Sequence, residues 1–152
     1  MISRYEILSS SVSSMYHDIQ KIERVEMAKF GLKGPHAQCM LAMRRNPGGV
    51  TAAQLCEICE KDKAAISRTV TELEQAGMVR REEKNGSRYR ALLTLTEQGS
   101  AAAENVSRRA QVAIEQAGIG LDDEQRQVFY KVLALIADNL HAICKDGLAE
   151  SV

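Results

Sequence analysis

Apolar side chains recur at steps of three and four along the N-terminal part of the chain. They fall on one stripe of a helical pattern: Tyr5, Leu8, Val12, Met15, Ile19 and Ile22. This spacing predicts a long helix over residues 2–29, which Gly31 and Gly34 end. Pro35 suits the first turn of a second helix, and the Asn-Pro-Gly-Gly run at residues 46–49 stops that helix.

Two short helices are predicted next, each with its own N-cap. Thr51 and Gln54 match the capping box, in which each side chain bonds the other residue's free backbone N–H. The expected buried face of this third helix is Ala52, Leu55, Ile58 and Cys59. Asp62 is the expected N-cap of the fourth helix, and Gly77 ends it. The expected inner face of the fourth helix is Ile66, Thr69, Val70 and Leu73.

A hairpin and two further helices complete the pattern. Residues 78–83 and 89–95 read as strands, and Asn85-Gly86 between them favours a tight hairpin because both residues tolerate positive φ. An alanine-rich helix is predicted over residues 96–117, before a last helix. The apolar stripe of that last helix is Val128, Val132, Leu135, Ile136 and Ile143. The expected class is mainly α with a small β-hairpin.

The order of these elements predicts a winged helix-turn-helix. Its two short helices are joined by a tight polar turn and are followed at once by the hairpin, which forms the wing. In this arrangement the second helix of the pair enters the major groove of DNA, which is wide enough to admit an α-helix. The fourth helix is therefore the predicted recognition helix.

The open face of the fourth helix carries side chains suited to DNA. Small residues let its N-terminal end approach base edges: Ala64, Ala65 and Ser67. Arg68 has the fork geometry for O6 and N7 of guanine. Lys63 and Thr71 suit phosphates near the positive end of the helix dipole. The predicted interface also includes Thr51, Lys61, Lys84, Arg88 and Arg90.

The charge distribution favours a local DNA-binding surface. The formal net charge of the 152 residues is +0, yet residues 61–96 hold eight Lys/Arg and five Asp/Glu. A basic patch on a neutral protein avoids binding to every duplex. No apolar run approaches the roughly 20 residues of a membrane span, and the N-terminus lacks a secretory core. We therefore expect a cytoplasmic protein without membrane contact.

The helix-turn-helix and its flanking motifs are specific in combination. The core reads TAAQLCEICEKDKAAISRTVTELEQAGMVRRE, and the exit from the wing reads LTLTEQG. With the long first helix and two terminal helices, these motifs resemble the MarR family of bacterial transcriptional regulators. The resemblance implies a homodimer on a pseudo-palindromic operator, often a repressor released by a small ligand or oxidation. The family wing commonly carries an Asp and an Arg two residues apart, where this chain has Ser87 and Tyr89.

The first and last helices have long apolar stripes that a central lobe of about 60 residues does not cover, which is typical of an interface. We therefore expect one MarR-like domain over residues 1–152. Within it, residues 34–96 form the winged helix-turn-helix lobe, and residues 1–30 and 97–152 form the dimerisation region.

The 4 cysteines are expected to be reduced thiols: Cys39, Cys56, Cys59 and Cys144. Cys56 and Cys59 form a CxxC, but no second CxxC or histidine pair follows at a zinc-finger distance. Core packing is therefore favoured for this pair. A redox role for Cys39 or Cys144 stays open, because the pKa and the exposure of a thiol cannot be read from sequence.

The resemblance also implies an effector pocket beside the DNA-binding lobe. Candidate lining residues for a small aromatic or anionic effector are Tyr16, His17, His36, Met40 and Met43; ordinary burial and capping are the favoured alternative. No set of catalytic residues is recognisable, so neither an enzyme nor a cofactor or metal is expected. Two other functions stay open: a winged-helix protein–protein adaptor, and a thiol- or metal-responsive sensor.

Overall fold

The computed structural model describes residues 2–84 and 86–149, which form helices and one two-stranded sheet. The elements are α1 (Arg4–Ala28), α2 (Gly34–Arg45), α3 (Ala52–Cys59), α4 (Lys63–Gln75), β1 (Val79–Lys84), β2 (Ser87–Leu95), α5 (Glu97–Ala117) and α6 (Asp123–Asp146). The predicted class, mainly α with a β-hairpin wing, is confirmed.

The chain divides into two compact units, residues 1–112 and residues 113–152. The hydrophobic core lies in the first unit, where α2, α3, α4 and the hairpin pack with the end of α1 and the start of α5. Its largest fully buried side chains are aliphatic or sulfur-containing: Met27, Met40, Met43, Leu55, Ile66, Leu73, Leu93 and Val106. A core of this kind follows from a chain with only 4 % aromatic residues.

Local capping fixes the ends of the two short helices. The Oγ1 of Thr51 accepts from the N–H of Gln54 at 3.2 Å, and the Oε1 of Gln54 accepts from the N–H of Thr51 at 2.9 Å. Asp62 Oδ1 accepts from the N–H of Ala65 at 2.8 Å and so caps α4. Between α3 and α4, Glu60 takes a left-handed conformation with φ 50°, which turns the chain sharply. Both predicted N-caps are confirmed.

The hairpin is antiparallel and runs from the pair Val79–Leu95 to the pair Lys84–Ser87. Asn85, half of the predicted turn, lies outside the described residues; Gly86 has a φ of +71°. A short bridge joins Val50 to Leu93, with N–H to O=C distances of 3.0 and 2.8 Å. This bridge ties the segment before α3 to the wing.

The predicted buried face of α3 is wrong at one position. Leu55 is fully buried, but Ile58 is 49 % exposed. Successive residues of a helix are rotated by about 100°, so Ile58 falls on the flank of Leu55 opposite to Ala52, Cys56 and Cys59. Those three side chains are the ones that pack against the core. The inner face predicted for α4 is buried throughout.

Each unit also presents unburied apolar side chains. In the first unit, α1 exposes Tyr5, Ile7, Leu8, Val12, Met15 and Tyr16. In the second unit, no residue of α6 is buried, and its exposed apolar residues are Val128, Phe129, Tyr130, Val132, Leu135, Leu140 and Ile143. Among the described residues, no helix is both long enough and apolar enough to span a membrane.

Candidate nucleic-acid interface

Buried and exposed side chains lie on opposite faces of α4. Ile66, Thr69, Val70 and Leu73 are buried and hold the helix on the core. Most of the predicted DNA-contacting residues are exposed on the other side: Lys63, Ala64, Ser67, Arg68 and Thr71. Ala65 is half-buried. The outer face is therefore polar, and it carries small residues near the N-terminus of the helix. Arg68 supplies the planar guanidinium group on this face.

Two of the predicted residues already use their hydroxyl groups locally. The Thr71 hydroxyl donates to the carbonyl oxygen of Ser67 at 2.9 Å, within the helix. Thr51 is half-buried, and its Oγ1 caps α3. A contact between either hydroxyl and phosphate would have to share these hydrogen bonds. Lys61 is exposed in the turn between α3 and α4.

The wing places further basic residues beside α4. Arg90 on β2 is exposed, and so is Arg80 on β1, which is not among the predicted DNA-contacting residues. The side chains of Lys84 and Arg88 lie outside the described part of the structure. Arg80 follows the glycine that ends α4 by three positions, and its alternation with the buried Val79 is the signal that would have identified it.

An ion pair fixes the base of the wing to α4. The Nε of Arg81 lies 3.0 Å from Glu74 Oε1, and its Nη2 lies 3.3 Å from Glu74 Oε2. Both side chains are largely buried, with 19 % and 26 % exposure. Such a two-point contact between guanidinium and carboxylate restrains orientation as well as distance. This contact therefore holds the base of the wing against α4.

A second polar contact connects α4 to α2. The N–H of Lys33 donates to His36 Nδ1 at 2.9 Å, so the imidazole proton is on Nε2. Nε2 then donates to Glu72 Oε2 at 2.6 Å. This hydrogen bond lowers the pKa of Glu72, with smaller contributions from the charges of Lys33 and Arg68, while desolvation opposes the shift. Glu72 is thereby kept as an acceptor for His36.

Comparisons with known proteins identify this fold. A sequence model of the MarR family matches residues 30–88. A MarR transcriptional regulator from Methanosarcina mazei Go1 aligns with a TM-score of 0.80 at 20 % identity, over 94 % of both chains. The structure of MarR aligns with a TM-score of 0.80 at 20 % identity, over 96 % of this chain and 99 % of that one. The chain has the MarR fold.

Another similar structure is a MarR-like transcriptional regulator from Listeria monocytogenes complexed with 26mer DNA. It aligns with a TM-score of 0.74 at 18 % identity, over 94 % of this chain and 97 % of that one. No curated protein sequence matches the chain. The resemblance to the MarR family that the sequence predicts is confirmed by the family model and by the fold.

The structure explains the LTLTEQG motif at the exit from the wing. The hydroxyl of Thr96 donates to the carbonyl oxygen of Gly77 at 2.6 Å and accepts from the N–H of Gly99 at 3.0 Å. It thus links the end of α4 to the first turn of α5. A Cβ on Gly99 would lie 1.9 Å from the carbonyl oxygen of Met78, so only glycine permits this approach.

The structure does not gather the five predicted effector residues into one pocket. Met40 and Met43 are buried in the core, at 0 % and 2 % exposure, because both lie on the inward face of α2. Tyr16 and His17 are exposed on α1. Of the five, His36 alone lines a cavity of about 320 Å³ beside α4. Met43 lines a different one.

The cysteines occupy distinct environments. Cys39 is buried, Cys56 and Cys59 are half-buried against the core, and Cys144 is exposed. Cys39 and Cys59 both line the cavity beside α4. Within the described residues, no group of three or more His, Cys, Asp or Glu side chains is placed to hold a metal ion.

Proposed function

We propose that this protein is a sequence-specific DNA-binding transcriptional regulator that acts as a homodimer on a pseudo-palindromic operator. The observation that carries the proposal is the exposed outer face of α4, with Arg68 among small side chains and the basic wing alongside. The Listeria structure in complex with 26mer DNA supports the same use of the fold.

The proposed contacts with DNA are of two kinds, those to bases and those to the phosphate backbone. Arg68 pairs with O6 and N7 of a guanine, and Ala64, Ala65 and Ser67 allow the backbone of α4 to approach the bases. Lys61, Lys63, Thr71 and Thr51 lie nearer the phosphates, where they position the helix without reading sequence. The wing residues Lys84, Arg88 and Arg90 contact the adjacent backbone or minor groove.

The winged-helix adaptor, which binds another protein instead of DNA, is the second candidate. The core of a protein–protein interface is depleted of charged residues and enriched in aromatic side chains. The outer face of α4 has neither property, since it carries Lys63 and Arg68 and no aromatic residue. This composition favours DNA.

The exposed apolar side chains of α1 and α6 support dimerisation. An apolar face of such length on a folded protein usually marks an interface between chains. In the proposed division, residues 34–96 form the DNA-binding lobe, and residues 1–30 and 97–152 form the dimerisation region. Two copies present two recognition helices, which is why the operator is expected to be an inverted repeat.

The proposed regulator works in the cytoplasm as a repressor without catalytic activity. A small aromatic or anionic effector releases it from DNA by binding beside α4, where His36 lines the cavity and connects α2 to the recognition helix. The proposed role of His36 is thus retained, whereas the core positions of Met40 and Met43 argue against direct contact with the effector.

Selection of bound duplexes from a random DNA pool tests this function. The expected result is an enriched inverted repeat whose half-sites are centred about one helical turn, roughly 10 base pairs, or a multiple of it apart. A pool that shows no enrichment, while the protein captures another protein tightly, would favour the adaptor.

A further inference from the structure

An acidic residue lies one helical turn beyond Arg68 on α4. Glu72 follows Arg68 by four positions, so the two side chains are neighbours on the helix surface, with about 5–6 Å between their Cβ atoms. Both residues line the cavity of about 320 Å³ beside α4. Side chains of a helix lean towards its N-terminus, so the carboxylate of Glu72 leans towards Arg68. The arginine that is assigned to reading a base therefore has a carboxylate beside it.

Glu72 is restrained by a group outside its own helix. Its Oε2 accepts the hydrogen bond from His36 Nε2 at 2.6 Å, and the N–H of Lys33 fixes the imidazole at the opposite nitrogen. The side chain of His36 is 7 % exposed, whereas that of Glu72 is 50 % exposed. The carboxylate is therefore held from the core side while it faces solvent on the other. Because the bond to His36 uses Oε2, Oε1 of Glu72 can accept a bond from another donor.

Arg68 and Glu72 attract each other without forming an ion pair. The hydrogen bond from His36 lowers the pKa of Glu72 most, and the positive charge of Arg68 adds a smaller contribution in the same direction. Within the described residues, Arg68 forms no ion pair or hydrogen bond. A basic residue placed four positions before an acidic one pairs less well than in the reverse order. The guanidinium therefore stays available to DNA, with the carboxylate next to it.

We propose that Glu72, held by His36, is a positioning residue that sets the specificity of Arg68 for guanine. This inference rests on the proposed function of α4 as the helix that reads sequence. A guanidinium has five N–H donors, and two of them meet O6 and N7 of guanine. Oε1 of Glu72 accepts one of the remaining donors, which fixes the plane of the guanidinium relative to the base.

The charge of Glu72 also acts against binding to phosphate. The lowered pKa keeps the carboxylate ionised at neutral pH. An arginine without an acidic neighbour gains charge-assisted hydrogen bonds from any phosphate of any sequence. Beside Glu72, part of that charge is compensated and an approaching phosphate is repelled, whereas the neutral acceptors O6 and N7 are not. The carboxylate thus favours a base contact over a backbone contact.

Binding to two duplexes separates this role from a structural one. One duplex is selected from the random pool and the other is its scrambled version. The specificity ratio is the dissociation constant for the scrambled duplex divided by that for the selected one. Glu72→Gln keeps the size of the side chain and removes its charge, so it should bind scrambled DNA at least as tightly as wild type and selected DNA more weakly. The ratio should fall at least about fivefold, within the usual coupling of neighbouring residues.

A second variant and a matched control complete this measurement. Glu72→Ala removes both the charge and the acceptor, so it should lower the ratio at least as much as Glu72→Gln. Glu57→Gln removes an exposed carboxylate from α3 that does not line the cavity, and it should leave the ratio unchanged. Circular dichroism checks that each variant is folded. An unchanged ratio for both Glu72 variants, including equal weakening on both duplexes, would overturn the proposal.

Variants of His36 test the restraint on Glu72. His36→Ala removes the donor to Oε2 and should lower the specificity ratio. His36→Gln keeps a side-chain donor, so it should retain more of the ratio than His36→Ala does. A wild-type ratio for His36→Ala would show that Glu72 does not need His36, which would contradict the proposed restraint.

A double-mutant cycle shows whether Glu72 acts through Arg68. In the Arg68→Ala background, Glu72→Gln should not lower the ratio further, because no guanidinium is left to position. A further loss of the same size would mean that Glu72 acts on DNA by another route, and it would refute the proposal. If the wild type selects no duplex, the proposed function fails and this inference fails with it. If Arg68→Ala loses specificity while Glu72→Gln keeps it, this inference fails alone.

Discussion

The imidazole of His36 lies with its Nε2 2.6 Å from Glu72 Oε2, which joins α2 to the exposed side of α4. The two residues are 36 positions apart in sequence. His36 is nearly buried and Glu72 is half-exposed, so the contact runs from the edge of the core to the surface that we assign to DNA. The orientation of α4 thus depends on a polar contact as well as on its inner face.

This contact predicts a pH-dependent contribution to stability. The pKa of Glu72 is lowered below its ordinary value of 4.5, chiefly by the hydrogen bond from His36. A lowered pKa in the folded state means that the ionised carboxylate stabilises the protein above pH 4.5 and that this contribution disappears as the pH falls through the lowered pKa. Glu72→Gln should therefore be less stable than wild type at pH 7, and the difference should shrink as the pH falls below 4.5.

Urea titrations over this range measure the effect. The control is Glu57→Gln, which removes an exposed carboxylate from α3. It should show no comparable loss at pH 7. A stability difference for Glu72→Gln that stays constant down to pH 3 would mean that the ionised form is not favoured by folding.

Gly99 provides a test of packing at the exit from the wing. An alanine Cβ there would lie 1.9 Å from the carbonyl oxygen of Met78, which is backbone and cannot rotate away. Gly99→Ala should therefore destabilise the protein by about 1–3 kcal/mol, the usual range for overpacking. Gly48→Ala is the control, because a Cβ at Gly48 meets nothing within 4 Å. Thermal or urea unfolding that ranks the two variants equally would contradict the account of this motif.

Much of the fold could be predicted from the sequence because its signals are local. The capping residues Thr51 and Asp62 bond groups three positions away, and the inner face of α4 follows from helical spacing. The outer residues of α4, including Arg68, follow from the same periodicity. These features need no knowledge of how distant segments meet.

The features that escaped prediction depend on long-range contacts. The His36–Glu72 hydrogen bond and the bridge between Val50 and Leu93 each join segments that no sequence period relates. Ile58 was misplaced because an apolar residue at a helical spacing can lie on either flank of a short helix. The burial of Met40 and Met43 could not be predicted either, because it depends on packing around α2.

Dimerisation gives a prediction about mass. The exposed apolar residues of α6 include Val132 at 46 % and Leu135 at 59 % exposure. Sedimentation at micromolar concentration should give about twice the chain mass of 16.8 kDa. Leu135→Arg should shift the protein towards monomer, because a charge would be buried in an apolar interface. Ala53→Arg adds the same charge to the exposed side of α3 and should leave the dimer intact. A monomeric wild type would refute both the dimer and the palindromic operator.

The wing residues should contribute to affinity without specificity. Contacts between cationic side chains and phosphate release counterions, and they weaken as salt rises. Lys84→Ala and Arg88→Ala should therefore weaken binding to the selected duplex and to a scrambled one alike. Each should reduce the salt slope by about one unit per charge lost in each engaged subunit. Lys145→Ala, near the end of α6, is the control for loss of one positive charge and should change neither quantity. Loss on the selected duplex alone would mean that the wing reads bases.

Titration of Arg68 variants against the selected and the scrambled duplex tests the central claim most directly. An arginine that contacts guanine through two hydrogen bonds discriminates by about 1–3 kcal/mol. Arg68→Ala should therefore weaken the selected duplex far more than the scrambled one. Arg68→Lys keeps the charge but loses the fork, so it should lose specificity while it retains most of the binding to scrambled DNA. Equal losses on both duplexes for Arg68→Ala would contradict the assignment of α4 as the helix that reads sequence through Arg68.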